Sequence, residues 1–273
     1  VSGAASVIVP AHDEADYIAA CLNAVFASDV DKENIQVIVI ANGCADATAD
    51  IALGYAADGR DLNVIETPEG SKLGALSLGD AAARHDLRIY LDADVIVSPG
   101  LITALITALQ GPMPRYASGI PEIVPARSPI TRAYTRLWRR LPFIAQGAPG
   151  FGLFAVNGAG RARWDDWPDI ISDDTFVRLH FAPSERQSVP QTYSWPMVEG
   201  LRNLVRVRRR QDRGVAEIAA LYPALLKNES KARLGLRGLV GLGLRDPIAF
   251  AVYLAVSLAV RLPGTSGGWE RGR

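Results

Sequence analysis

Two cysteines in 273 residues leave sulfur little to do. Cys21 and Cys44 sit in core-like segments and match no metal-ligand spacing, so neither a disulfide framework nor an oxidising compartment is indicated. A basic leader is also missing. The chain enters a strand-like run at once, which argues against a secretory signal, and the absent initiator methionine suggests a trimmed start. Long apolar runs are lacking as well. The longest, inside "DPIAFAVYLAVSLAVRLP" between Asp246 and Arg261, has 14 residues, against the ~20 that a helical span requires. No internal repeat is evident.

Net charge is zero, but the charges are not evenly spread. Residues 1–199 hold 15 Lys and Arg against 24 Asp and Glu, a net of −9. Residues 200–273 hold 14 against 5, a net of +9. The acidic front is a poor surface for nucleic acid, whereas the basic tail suits phosphates or anionic lipid. A hydrophobic share of 49% and a charged share of 21% describe a folded chain, long enough for one large α/β domain with an appendage.

The first hundred residues alternate. "SVIVP" (6–10), "IQVIVI" (35–40), "LNVIE" (62–66) and "LRIYLD" (87–92) read as short buried strands, with helical patterns near 14–28, 46–57 and 71–84. Repeated strand–helix units with apolar strands predict a parallel sheet covered on both faces. Ligands of such sheets sit beyond the carboxyl ends of the strands, and here those ends are polar: "AHDE", "ANGCAD", "TPEGSK" and "DAD". After residue 110 the pattern loosens. "SPITRAYTRLWRRLPF" (128–143) reads as a helix with Tyr134, Leu137, Trp138 and Leu141 on an apolar side and Arg132, Arg136 and Arg140 at four-residue spacing. A Gly-rich strand-like piece (148–160) and "DIISDDTFVRLHF" (169–181) follow; beyond about 199 the chain is mostly helical and basic.

In "IYLDADVIV" (89–97) two acids interrupt a greasy run. An extended D-A-D would aim Asp92 and Asp94 to one side, where two like charges repel. A divalent cation, Mg²⁺ or Mn²⁺ held by carboxylate plus substrate phosphates, removes that repulsion; two solvated acids at a strand end are the plain alternative. "SDD" (172–174) offers a carboxylate for proton abstraction, and equally an ordinary helix start. "GAPGFGLFAVNGAG" lacks the dinucleotide-binding spacing and follows the wrong strand, so that reading is rejected.

"VIVPAHDEADYIAACLNAV", "VIVIANGCADATADIA", "KLGALSLGDAAA", "IYLDADVIV" and "WPDIISDDTF" together resemble, in order and spacing, the family 2 glycosyltransferases from about residue 6 to 214. The resemblance implies the GT-A fold: a Rossmann-like, mostly parallel central sheet flanked by helices, here with a C-terminal helical extension. It also implies a nucleotide-diphosphate-sugar donor, a divalent metal (Mn²⁺ or Mg²⁺) and inversion at the anomeric carbon. By the same resemblance Asp94 is the direct metal ligand and Asp92 is shared between metal and ribose, with Ala93 between them against the donor. Pro10, Ala11, His12 and Glu14 form the first base-binding loop, His12 where an aromatic often stands. Asn42 replaces an aspartate that faces the base, and its amide can both accept and donate. Asp46 is read as a helix cap. Lys72 faces the donor nucleotide at a helix start, where cation and N–H groups favour phosphate. Asp174 matches the general base and Asp173 replaces a glutamate that positions the acceptor. Gly150 lies beside the acceptor, and Trp164 and Trp167 stack on it or belong to the core. Arg210 and Arg213 resemble a basic element that reaches the leaving diphosphate, although Gly214 follows where an aromatic is usual.

On this reading residues 1–110 bind the nucleotide sugar, 111–214 the acceptor, and 215–273 form a helical extension open to membrane association. The Arg/Trp helix near 130–142, the basic 200s and the apolar terminus point to a lipid surface. That implies a polyprenyl-linked or other glycan acceptor and a cytoplasmic protein, peripheral on the inner face of the cell membrane, with packing against the catalytic domain or within a homodimer as other uses for the terminal helix. Two other functions stay open: a metal-dependent phosphohydrolase built on "LDAD", and a transferase-like membrane scaffold without activity.

Overall fold

A computed structural model describes residues 3–57, 59–145, 148–230 and 234–262; residues 263–273, the end of the expected extension, lie outside the described residues. The chain runs through β1 (Ala5–Ala11), α1 (Ile18–Phe26), β2 (Ile35–Asn42), α2 (Thr48–Ala56), β3 (Leu62–Thr67), α3 (Lys72–Ala82) and β4 (Leu87–Leu91). Next come β5 (Ile96–Val97), α4 (Leu101–Ala108), β6 (Tyr116–Ile123), α5 (Pro129–Trp138) and α6 (Pro142–Ala145), then β7 (Leu153–Val156), α7 (Gly158–Arg161), α8 (Asp173–Leu179) and β8 (Arg186–Trp195). Three helices close it: α9 (Leu201–Leu221), α10 (Leu236–Arg245) and α11 (Pro247–Arg261). Two compact units result, Val1–Glu122 with Ala148–Trp195, and Ile123–Gly147 with Pro196–Arg273.

The first unit is an eight-stranded sheet of order β3-β2-β1-β4-β7-β6-β8-β5. Its first four strands are parallel, as the alternating pattern predicts. The other half is not: β7 runs antiparallel to β4 and to β6, and β5 antiparallel to β8. β1 and β2 are buried along their whole lengths because helices cover both faces. Val7, Val9, Val37 and Val39 pack with Ile18, Leu22 and Val25 of α1. On the opposite face α3 lies so close that a Cβ at Gly79 would sit 2.4 Å from Ile8 Cγ2, so only glycine admits this approach. β6 and β8 are harder to read from sequence, since Gly119, Pro121 and Pro190 interrupt them. Gly119 is there because a Cβ would meet the Gln191 carbonyl oxygen of β8 at 2.9 Å.

α1 begins at Ile18, four residues later than the helical pattern. Residues 12–17 form a loop in which Asp13 takes a left-handed φ of 48° and the Glu14 amide donates to Thr48 Oγ1 (2.7 Å).

In the second unit the apolar side predicted for 128–143 is realised: Tyr134, Leu137, Trp138 and Leu141 are all buried, while Arg132, Arg136 and Arg140 face solvent. α5 packs against α9 and α11 through Leu204, Ile218, Ala249 and Val256, and Tyr134 stacks on Tyr253. Asp246 caps α11, accepting from Arg136 (2.8 Å) and from the Ala249 amide (3.0 Å), which together hold its carboxyl down at about 2. At the other end Arg209 donates to the carbonyls of Ala259 and Leu262 (both 2.8 Å). Two of the arginines in the basic run are thus internal ties, Arg209 to α11 and Arg208 to the Tyr134 hydroxyl (3.2 Å). Among the described residues no helix is long and apolar enough to cross a membrane.

Candidate functional site

The carboxyl ends of β1, β2, β3 and β4 lie side by side, and the loops that leave them are knitted together. Gly43 (φ 60°) donates its amide to the Thr67 carbonyl (2.8 Å) and packs on Gly70, where a Cβ would fall 2.8 Å from the Gly70 backbone. The His12 ring borders Gly70, and its Nδ1 lies 2.6 Å from the Asn42 carbonyl; a carbonyl only accepts, so Nδ1 carries the proton. Asn42 is buried and its amide nitrogen donates to the Ala11 carbonyl (2.7 Å). The donating half of the group expected to read a base is therefore spent on backbone. Pro10 and Ala11 are corrected in the same way: they are the last, buried residues of β1, and the exposed loop starts at His12. Asp46 accepts from the Thr48 amide (3.0 Å) at the start of α2 and from the Ala15 amide (3.1 Å), a capping role that also joins two loops.

Asp92, Ala93 and Asp94 are not extended. β4 stops at Leu91, the Asp92 amide donates to the Gly152 carbonyl (2.9 Å), and the Val95 amide closes a turn onto the Asp92 carbonyl (3.1 Å). The argument from strand alternation thus fails, yet the turn has a similar outcome: Ala93 and Val95 are buried while both aspartates are half-exposed. Cys21, beneath the turn, has its thiol pushed up to about 12 by burial and by the Asp92 and Glu14 carboxylates, so it stays protonated.

Lys72 is the centre of the site. As the first residue of α3, behind the Ser71 cap, its Nζ lies 3.0 Å from Asp92 Oδ1 and 3.1 Å from Asp173 Oδ2. Those carboxylates raise the ammonium's pKa against the opposing effect of burial. Asp173, 7% exposed, has its carboxyl raised by burial, which outweighs Lys72; repulsion from Asp174 and Asp92 adds to the rise. Asp173 is therefore committed to Lys72 rather than displayed to an acceptor. Asp174 is half-exposed, and its Oδ1 accepts from Ser172 Oγ (2.8 Å) and the Thr175 amide (2.6 Å), which fix the carboxylate at the start of α8.

Trp164 and Trp167 belong to the core. Both are buried; Trp164 packs edge-on against Trp167 and Phe176 and at a tilt against His180, and Trp167 donates to Asp80 Oδ2 (2.8 Å). Their faces support α8 and leave none for a sugar. Gly150 (φ 79°) is buried, and a Cβ there would collide with the Tyr116 hydroxyl at 1.8 Å. Arg210 and Arg213 lie on α9 in the second unit, one half-buried and one exposed.

Sequence reasoning missed Asp80. Its carboxylate accepts from Tyr90 Oη, Arg161 Nε and Trp167 Nε1, each at 2.8 Å, and pairs with Arg88 at 3.4 Å. Two turns beyond Lys72 on the same helix, it fixes where α3 lies and hence where Lys72 reaches. An acid on the sheet-facing side of an otherwise small and apolar helix is the signal that could have found it.

Among the described residues, Asp13, Cys44 and Asp46 bring three potential ligand atoms within 4.8 Å. Asp13 already accepts from the Ala45 amide, and Asp46 from the Ala15 and Thr48 amides, so this cluster reads as the architecture that ties the two loops together. Asp92 offers a hard oxygen donor beside Lys72, and Asp94, half-exposed two residues on in the same turn, offers another; carboxylate oxygens suit Mg²⁺ or Mn²⁺ completed by phosphate.

The profile of "Glycosyl transferase family 2" matches residues 6–163. A glycosyltransferase of Haloferax volcanii, AglE, is 32% identical over 90 residues, which is 33% of this chain and 30% of that protein; the match therefore spans under a third of the relative's length. The mannosyltransferase PcManGT of Pyrobaculum calidifontis, solved with GDP-Man and Mn²⁺, superposes with a TM-score of 0.62 at 20% identity over 96% of this chain and 76% of its own. Glucosyl-3-phosphoglycerate synthase of Mycobacterium tuberculosis, solved with Mn²⁺, UDP and glucosyl-3-phosphoglycerate, gives 0.52 at 18% identity over 80% of each chain. At these identities the structural likeness is one of fold.

Proposed function

We propose, for a chain that belongs to glycosyl transferase family 2 and has the GT-A fold, that it transfers a sugar from a nucleotide-diphosphate donor to a hydroxyl of a glycan or polyprenyl-linked acceptor, with inversion. The observation that carries this reading is the Lys72 ammonium between Asp92 and Asp173, which joins the turn after β4 to the start of α8. Donor and acceptor chemistry must meet at such a junction.

His12 and the loop edge at Gly43 and Gly70 receive the nucleobase. Asp92 and Asp94 would hold a divalent cation, Mn²⁺ or Mg²⁺, which would neutralise charge on the leaving diphosphate. Lys72 leaves Asp92 for the diphosphate, which is the stronger partner for an ammonium at a helix N-terminus. Asp174, held by Ser172 and Thr175, takes the proton from the attacking hydroxyl on the face opposite the leaving group. Asp173 keeps a counter-charge on Lys72 and so sets its reach. The expected boundaries at 110 and 214 do not coincide with the compact units: residues 111–214 are shared between the two, and residue 215 falls within α9.

Calorimetric titration of UDP-, GDP- and dTDP-sugars, with and without Mn²⁺, tests the proposal. Metal-dependent binding of one donor class is expected; no binding across the panel sinks it.

A further inference from the structure

α10 and α11 bury remarkably few of their apolar side chains among the described residues: in α11 only Ala249 and Val256, seven residues apart, are fully covered. The uncovered side of α11 carries Ile248, Ala251, Leu254, Leu258 and, just past its end, Leu262, a stripe at three- and four-residue spacing. α10 adds Leu239, Val240 and Leu244, the last 82% exposed and Ile248 67%. Exposed leucines one at a time need no explanation, but two consecutive helices presenting them do.

Charge identifies the occupant. Across residues 236–261 the cations are Arg237, Arg245 and Arg261, all exposed, and the one acid is Asp246. That acid is turned inward, bonded to Arg136 and to the Ala249 amide. No carboxylate therefore stands among the exposed leucines, and arginines mark both ends of the stripe. The length of α11, 15 residues, corresponds to about 22 Å of helix, short of the ~30 Å hydrocarbon core. A short helix with an apolar stripe and a cationic border lies in the plane of a bilayer interface.

We propose that α10 and α11 form a docking surface for the headgroup region of an anionic phospholipid bilayer, with Leu244, Ile248, Leu254 and Leu258 entering the acyl boundary and Arg237, Arg245 and Arg261 meeting lipid phosphates. This seats the protein peripherally, on the inner face of the cell membrane if it is cytoplasmic. It is independent of the transfer chemistry, since it uses none of the residues assigned to donor, metal or base.

Co-sedimentation of the full chain with vesicles tests it, using phosphatidylcholine alone and a 7:3 mixture with phosphatidylglycerol (about 30% anionic lipid, a charge density at which basic surfaces bind). Binding to the mixed vesicles, at least about tenfold stronger than to the neutral ones and weakening with salt, is expected. Leu244→Glu with Leu258→Glu should reduce it about tenfold or more. Replacing Arg237, Arg245 and Arg261 by Gln, which leaves every buried residue in place, should remove the preference for the anionic lipid. Unchanged melting temperatures confirm that the variants fold. No binding by the wild type, equal binding to neutral vesicles, or equal binding by the Glu variant overturns the proposal. So does a dimer that the Glu variant dissociates while vesicles stay unbound.

Discussion

Replacing Lys72 by Met removes one cation from between two carboxylates while keeping the helix-forming stem. Two unit charges about 3 Å apart attract by about 5 kcal/mol at an effective dielectric near 20. The Lys72 and Asp92 side chains are each about a third exposed (33% and 34%), so solvent screening reduces the net loss to about 2 kcal/mol. Most of that arises at Asp173, which is buried and has no comparable access to water. The pH dependence follows from the raised carboxyl of Asp173. A carboxyl raised on folding binds its proton more tightly in the native state, so ionising it subtracts stability as pH climbs from the unfolded value near 4 through the folded one. Lys72 limits that loss. Without it the carboxyl rises further, and the variant falls behind the wild type progressively between about pH 4 and neutrality. Calorimetric melts at a series of pH values should show a small deficit near pH 4.5 and the full deficit near 7.5, about 4–8 °C for a chain of this size. Lys72→Met combined with Asp173→Asn should recover part of it. A deficit that is the same at both pH values, or no recovery in the double variant, would refute the placement of Lys72 as counter-ion to Asp173.

Asp174→Asn should lower turnover by about 10²–10⁴-fold while calorimetry still detects the donor, because the carboxylate lies outside the donor loops. Asp94→Asn should abolish the Mn²⁺ dependence of nucleotide binding, and chelation of the wild type should do the same; an unchanged titration would move the metal elsewhere. Gly150→Ala should destabilise the protein strongly, through both its φ of 79° and the collision with the Tyr116 hydroxyl. Adding Tyr116→Phe should restore part of that stability, because the oxygen removed has no hydrogen-bond partner among the described residues to lose. Equal melting temperatures for the single and double variants would show that the clash is relieved by some other movement.

The four parallel strands were legible because each is a short apolar run between turn-forming residues, a pattern that few other structures satisfy. β6 and β8 were not, because Gly119 and Pro190 interrupt the pattern for reasons lodged in a neighbouring strand. The acids at 92 and 94 stood out in the sequence from the cost of burying charge, but the strand geometry invoked for them was wrong: a turn, closed by the Val95 amide, presents them. Trp164 and Trp167 could be read either way until their edges were seen against α8 and Asp80.

What the sequence alone determined is local: the strand–helix alternation, the cap at Asp46, the family motifs and their order, and the division into an acidic front and a basic tail. Tertiary structure decided the partnerships. Lys72, Asp92 and Asp173 are separated by 20 and then 81 residues, and nothing in their immediate neighbours says that one ammonium serves both acids. Nor does the apolar run at 247–260 say which of its faces is covered until α5 and α9 take up Ala249 and Val256. The reason is that periodicity and capping are set by bonds a few residues long. A charge finds its counter-ion, and a stripe its cover, through space.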